Sequence, residues 1–125
     1  MSRILVIDDQ EHIRSIIREL LIGDNHQVDL AEDGAVGMKL AARNSYDLII
    51  TDIVMPEKDG FEVINELKQL APGIGLIVMT GGGAGLDVAN LMKMSQFMGA
   101  DRVLSKPLDF RILQRAVKDV LEKKS

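Results

Sequence analysis

Five short runs of aliphatic residues alternate along this sequence with five stretches of helical periodicity, and this alternation constrains the fold more than any other feature. The runs cover Ile4 to Ile7, Val28 to Ala31, Leu48 to Thr51, Leu76 to Met79, and Val103 to Leu104. Runs such as ILVI and LIVM are apolar at successive positions, which is typical of strands buried on both faces. Strict alternation of such strands with helices favours a parallel sheet covered on each side. We therefore predict an α/β fold, a doubly wound (βα)5 three-layer sandwich.

The first and the last helical stretches have the clearest periodicity. Apolar residues recur at helical spacing from Ile13 to Leu21 and again from Leu113 to Leu121. Weaker helices are predicted from Gly34 to Asn44, from Phe61 to Leu70 and from Asp87 to Met98. The Asp side chain accepts hydrogen bonds from backbone N–H groups at helix starts, so we predict caps at Asp87 and Asp109.

Composition narrows the classes of function. The chain has 125 residues, of which 46% are hydrophobic, so we predict one domain spanning residues 1–125 with an aliphatic core. The net charge of -4 and the lack of a basic run argue against direct nucleic-acid binding. No apolar run approaches the roughly 20 residues of a membrane span, and the acidic N-terminal region does not resemble a signal peptide. We expect a cytoplasmic protein without membrane insertion.

Polar residues follow several of the predicted strands. Asp8 and Asp9 end the first strand, Asp52 ends the third, Thr80 ends the fourth, and Lys106 follows the fifth. In an open parallel sheet, the carboxyl ends of the strands border a crevice where functional groups gather. Each residue alone has a simpler interpretation, since either aspartate of the first pair could cap a helix and the lysine could be solvated. Their joint position at one sheet edge favours a site.

Three carboxylates at one edge repel each other unless a cation lies among them. Oxygen ligands without a nearby His or Cys suit Mg²⁺ better than Zn²⁺, and the two histidines, His12 and His26, fall elsewhere in the sequence. A magnesium ion among carboxylates at a strand-end crevice suggests phosphoryl chemistry. The residues therefore predict a Mg²⁺-dependent site.

Four motifs resemble one known family. They are LVIDD (residues 5–9), LIITDIVMPEKDG (48–60), IVMT (77–80) and SKP (105–107). In this order they are similar to the receiver domain of two-component response regulators, of the single-domain type exemplified by the chemotaxis regulator, over essentially the whole chain. The resemblance implies a flavodoxin-like sheet with the strand order 2-1-3-4-5.

The resemblance also implies a chemical role for each acidic residue. Asp52 would be the phosphoacceptor, taking a phosphoryl group from a histidine kinase or a histidine phosphotransfer protein to form an acyl phosphate. Mg²⁺ would be bound by Asp9, Asp52 and the backbone carbonyl of Val54, with Asp8 acting directly or through water. The protein would be a signalling acceptor that catalyses its own phosphorylation, not a turnover enzyme.

The remaining site residues are assigned by the same resemblance. Lys106 would pair with the phosphoryl oxygens, Thr80 would turn its hydroxyl toward them, and the amide of Gly81 would be a second donor. Pro107 would follow a cis peptide bond. A conformational change over residues 80–106 would then control the binding of a downstream protein target.

The chain departs from the family in the region of this switch. Val103 occupies a position where the family usually carries Tyr or Phe, and Leu108 one where Phe is common. The segment from Thr80 to Lys106 is also longer than is typical, with glycines at positions 81, 82, 83 and 85. We hypothesise that this lengthened glycine loop and the helix after it carry the switch.

Two alternatives remain open from the sequence. One is a constitutive protein-binding adaptor with a vestigial switch, which Val103 makes plausible. The other is a Mg²⁺-dependent phosphatase with an Asp nucleophile, although Val54 stands where such enzymes usually need a second acid or base. Gly82, like Val54, cannot assist hydrolysis of an acyl phosphate with its side chain.

Phe97, with Met94 beside it, is interpreted either as an ordinary surface residue or as part of a docking patch.

Overall fold

The computed structural model describes residues 2–53, 60–81 and 88–124. These residues form five strands and five helices in strict alternation. The strands are β1 (Arg3–Ile7), β2 (Gln27–Ala31), β3 (Leu48–Asp52), β4 (Gly75–Thr80) and β5 (Arg102–Ser105). The helices are α1 (Glu11–Gly23), α2 (Gly34–Arg43), α3 (Gly60–Leu70), α4 (Val88–Phe97) and α5 (Phe110–Lys124).

All strand pairs of the sheet are parallel, and the strand order is β2-β1-β3-β4-β5. Both features confirm the predicted fold. The chain places β2 on one side of β1 and β3 on the other, so the direction of winding reverses between β1 and β3. A crevice opens at the carboxyl ends of strands at such a reversal. Asp8 follows β1 and Asp52 ends β3, which puts both at this crevice.

Alternate residues of each strand enter two separate cores, because successive side chains of a strand point to opposite faces of the sheet. Ile4, Val6 and Ile50 pack with α1 and α5 on one face. Leu5 and Ile49 pack on the other face with residues of α2 and α3. All five of these side chains are fully buried. The unbroken apolar runs in the sequence are therefore explained by burial on both faces.

Helix α2 lies close to β1. A Cβ atom at Gly37 would lie 2.8 Å from Cγ1 of the fully buried Ile7, so only a glycine allows this approach without movement of the strand side chain. The helix starts at a true cap, since Asp33 Oδ1 accepts the Val36 amide at 2.9 Å. In the turn after α1, Asn25 has a φ of 67°, a left-handed backbone conformation that Asn adopts more readily than most residues.

The predicted element bounds agree with the observed ones within two residues for most elements. The predicted cap of α5 is confirmed, because Asp109 Oδ1 accepts the amide of Arg111 at 2.9 Å. The predicted cap of α4, Asp87, lies outside the described residues. Within the part of the chain that the structure describes, no helix combines the length and the apolar character that a membrane span requires.

Candidate functional site

Three carboxylates meet at the crevice between β1 and β3. Oxygen atoms of Asp8, Asp9 and Asp52 all lie within 4.8 Å of one another. Asp8 is 0% and Asp52 4% exposed, whereas Asp9 is open to solvent. The sequence predicted that these residues share one edge of the sheet, and the structure brings them together there.

Lys106 joins this cluster from the far end of the chain. Its Nζ atom donates to Asp52 Oδ2 at 2.6 Å and to Asp8 Oδ2 at 2.9 Å. A third bond runs to Gln10 Oε1 at 3.2 Å. Only 17% of the lysine side chain is exposed, so it is not an ordinary solvated lysine. The peptide bond between Lys106 and Pro107 is cis, as the family resemblance implied.

The carboxylates beside Lys106 determine the direction in which its pKa is shifted. Burial by itself would lower the pKa of this ammonium, but the hydrogen bonds to Asp52 and Asp8 and the charges of these carboxylates outweigh it and raise the pKa above its ordinary value. Lys106 is therefore a cation at neutral pH. Three carboxyl groups face one ammonium, so the cluster holds more acidic groups than basic ones. Because all the donors are oxygen atoms, this cluster fits a hard dication such as Mg²⁺.

Asp8 combines two roles that the sequence offered as alternatives. Its Oδ1 atom accepts the Gln10 amide at 2.8 Å and so supports the turn into α1. Its Oδ2 atom faces Lys106. The backbone carbonyl of Asp8 accepts a bond from Arg14 Nη1 at 2.7 Å. The helix-entry role thus does not exclude the role in the acidic cluster.

Thr80 ends β4 beside the cluster and is fully buried. Its Oγ1 atom has no hydrogen-bond partner among the described residues. A buried hydroxyl without a partner carries an energetic cost, so this atom is poised for an acceptor that arrives from elsewhere. Gly81 follows, and a Cβ atom there would lie 3.5 Å from the aliphatic stem of Lys106. Both residues border the lysine, as the predicted arrangement requires.

Several predicted residues cannot be placed. Val54, whose carbonyl is an expected metal ligand, lies outside the described residues, as do Gly82, Gly83 and Gly85 of the glycine loop. The side chains of Phe97 and Met94 also lie outside the described part.

Val103, by contrast, is described and half-buried in β5. It lines a cavity of about 220 Å³ at the outer edge of this strand, together with Met92 of α4 and Ile112 of α5. The position where the family usually has an aromatic ring therefore borders unfilled space.

Two residues of the site were missed in the sequence. Gln10 and Arg14 stand one helical turn apart at the start of α1, and they contact Lys106 and Asp8 respectively. Their positions could have indicated this. Gln10 comes directly after the Asp pair, and Arg14 lies four residues later, on the same face of the helix.

A cleft of about 470 Å³ lies over this end of the site. Gln10, Gly81, Lys106 and Pro107 form its polar and backbone side. Its apolar residues come from α1, from the segment after β5 and from the first residue of α5, namely Ile13, Ile16, Leu108 and Phe110. Lys106 therefore borders both this cleft and the acidic cluster.

Comparisons with known proteins agree with this geometry. The chemotaxis protein CheY of Halobacterium salinarum is 33% identical over 96% of this chain and 97% of its own length. The transcriptional regulatory protein RprY of Bacteroides fragilis is 31% identical over 97% of this chain, which spans only 50% of that regulator. The crystal structure of response regulator protein TrrA from Thermotoga maritima, in complex with Mg²⁺-BeF, has a TM-score of 0.82 at 32% identity, covering 96% of this chain and 99% of that one.

The profile of the family described as the response regulator receiver domain matches residues 4–118. This match includes both ends of the site, from the Asp pair after β1 to the lysine after β5. The chain belongs to the response regulator receiver domain family.

Proposed function

We propose that this chain is the phosphoacceptor module of a two-component phosphorelay, with Asp52 as the residue that receives the phosphoryl group. The observation that carries the proposal is the buried Asp52 carboxylate, held 2.6 Å from the Lys106 ammonium inside a cluster of three carboxylates. A carboxylate that is fixed beside a cation at a strand-end crevice suits a nucleophile for phosphoryl transfer. The donor is a phosphohistidine of a histidine kinase or of a phosphotransfer protein.

The proposed reaction moves one phosphoryl group. A carboxylate oxygen of Asp52 forms a bond to phosphorus, while the phosphorus–nitrogen bond of the donor breaks and its electron pair goes to the imidazole nitrogen. Lys106 stabilises the negative charge of the transferred group through N–H donation. The buried Thr80 hydroxyl and the Gly81 amide supply further hydrogen bonds to it. The product stays attached to the protein, so the chain is an acceptor and not a turnover enzyme.

Asp8, Asp9, Asp52 and the backbone carbonyl of Val54 would hold Mg²⁺, Asp8 either directly or through water. The bound ion supplies positive charge that offsets the charge on the phosphoryl oxygens. The close, oxygen-only donor set supports this assignment. So does TrrA of Thermotoga maritima, a 32% identical receiver whose structure is described as a complex with Mg²⁺-BeF.

The cleft beside Lys106 supports a route for the phosphodonor. Its apolar lining suits contact with a protein surface, and its polar end leads to the lysine that touches Asp52. After transfer, a change over residues 80–106 would control the binding of a downstream protein target. We place this signalling in the cytoplasm, as the sequence predicts.

Mass spectrometry of the intact chain tests the proposal. Incubation with Mg²⁺ and acetyl phosphate, or with a phosphorylated kinase, is expected to add one phosphoryl group to the wild-type chain and none to Asp52→Asn. Asp119→Asn, an exposed position on α5, is the matched control and is expected to be phosphorylated normally. An adduct that persists in Asp52→Asn would contradict the assignment of the acceptor.

The cavity beside Val103 favours one second candidate, an adaptor that binds its partner constitutively and keeps a vestigial switch. The same experiment separates the two functions. No adduct with any donor would favour the adaptor. Steady release of inorganic phosphate from many small phosphate esters would instead favour the phosphatase.

A further inference from the structure

Gln10 occupies the N-cap position of α1, yet its side chain makes no capping hydrogen bond. Its Oε1 atom instead accepts a bond from Lys106 Nζ at 3.2 Å, across 96 positions of the sequence. A lysine ammonium only donates, so the amide must present its oxygen to this atom. The side chain of Gln10 therefore serves the site and not the helix that it begins.

The three acceptors of Lys106 are not equivalent. A lysine ammonium has three N–H donors, and Asp52, Asp8 and Gln10 together occupy all three. All three bonds have the same charged donor, but those to Asp52 and Asp8 also have carboxylate acceptors and are shorter, at 2.6 and 2.9 Å. Of the bonds that described residues accept from Lys106, the one to Gln10 has a neutral acceptor and, at 3.2 Å, is the longest. It is therefore the bond that the lysine loses most easily.

The position of Gln10 also matters for the approach of the phosphoryl group. Gln10, Gly81 and Lys106 line the same cleft. Asp8 and Asp52 do not line this cleft and are buried, so Gln10 and Lys106 are the members of the site that border it.

We propose that Gln10 is a positioning residue that holds the third N–H of Lys106 in the resting state and releases it to a phosphoryl oxygen on Asp52. Lys106 then keeps its bond to the Asp8 carboxylate, and the N–H that Gln10 releases turns to the phosphoryl group. The amide of Gln10 competes with the phosphoryl group, so its acceptor strength sets how readily the site accepts that group. This inference rests on the proposed phosphoacceptor function.

Three variants test whether the Gln10 amide competes with the phosphoryl group for Lys106. Gln10→Met keeps the length of the side chain but removes the acceptor, and no capping bond is lost. Gln10→Glu keeps the reach and makes the acceptor stronger and anionic. Gln114→Met is the matched control, because Gln114 makes an exposed side-chain bond to Asp24, far from the site.

The readouts are the dissociation constant of beryllofluoride, a phosphoryl mimic, at saturating Mg²⁺ and the initial rate of phosphorylation by acetyl phosphate. The bond to Gln10 is long and exposed, so its loss corresponds to about two- to fivefold, near the lower end of hydrogen-bond contributions. We expect Gln10→Met to bind beryllofluoride about two- to fivefold more tightly than the wild type and to react faster by a similar factor. Gln10→Glu should bind it more weakly, and Gln114→Met should match the wild type.

A merely structural role of Gln10 would not produce this order of affinities at unchanged thermal stability. The inference is overturned if Gln10→Met binds beryllofluoride no more tightly than the wild type, or if Gln10→Glu binds it more tightly.

Hydrogen exchange of the Lys106 ammonium, followed by NMR without Mg²⁺, tests the bond independently of phosphorylation. We expect faster exchange in Gln10→Met but not in Gln114→Met. A wild-type chain that takes up no beryllofluoride would refute the proposed function, and unchanged ammonium exchange would separately refute the bond.

Discussion

Replacing Lys106 by Met tests whether the acidic cluster depends on the lysine for its stability. Methionine retains much of the aliphatic stem but removes the ammonium, so Asp8 and Asp52 stay buried without their cation. Removing one partner of a buried ion pair is strongly destabilising, because the remaining charge is uncompensated.

The magnitude follows from the bonds that are lost. Lys106 makes two hydrogen bonds to carboxylates, and bonds to charged groups contribute about 1.5 to 3 kcal/mol each. We take the lower end, because the lysine side chain is 17% exposed and Asp8 keeps its bond from the Gln10 amide. The expected loss is about 3 kcal/mol in the free energy of unfolding without metal. For a domain of this size, that corresponds to a melting temperature about 12 °C lower.

Urea unfolding followed by circular dichroism measures this loss, since the chain has no Trp and one Tyr and thus little intrinsic fluorescence. The measurement is made in EDTA and repeated with Mg²⁺. We expect Mg²⁺ to stabilise Lys106→Met more than the wild type, because the variant has one more unmatched negative charge for the ion to bind. Lys118→Met, at an exposed position of α5, is the control and should change stability little. A loss below about 1 kcal/mol in EDTA would refute the reasoning that the buried carboxylates need this cation.

Three further predictions concern the scaffold. Gly37→Ala should lower the free energy of unfolding by about 1 kcal/mol despite its better helix propensity, because the new Cβ would lie 2.8 Å from Cγ1 of the buried Ile7; a more stable variant in urea unfolding would contradict this. Asn25→Ala should lose about 1 kcal/mol, because Asn25 has a φ of 67°, and Asn25→Gly should not; equal urea midpoints for the two variants would contradict this. Burial first, and then the hydrogen bond to Asp29, raises the pKa of Tyr46 to about 12, so absorbance of the only tyrosine should titrate near that value and at lower pH in Asp29→Asn. Because the fold favours the neutral phenol, this contribution to stability is complete below the ordinary pKa of 10.0 and is lost as the pH rises through about 12. A midpoint near 10.0 in the folded chain would contradict both the burial of Tyr46 and its contact with Asp29.

The sequence by itself was sufficient for the fold class and for most of the residues at the sheet edge. Uninterrupted apolar runs such as Ile4 to Ile7 require burial on both faces, and alternation with helices then leaves few arrangements other than a parallel three-layer sandwich. In such a sheet the residue after each strand falls at a known edge, which is why Asp8, Asp52 and Lys106 could be named together. The strand order 2-1-3-4-5 came only from the family resemblance, since periodicity carries no information on which strands are neighbours.

Only the tertiary structure decided which atoms meet. Lys106 contacts Asp52 and Gln10 from positions 54 and 96 residues away, and local spacing cannot predict such contacts because they depend on how whole strands and helices pack. The burial of the Thr80 hydroxyl without a partner among the described residues has the same origin, since it depends on how the surrounding elements pack. The sequence thus determined the kinds of residue at the site, through strand periodicity and strand ends. The packing of α1 and β5 against the central strands determined how the donors of one lysine are shared among its acceptors.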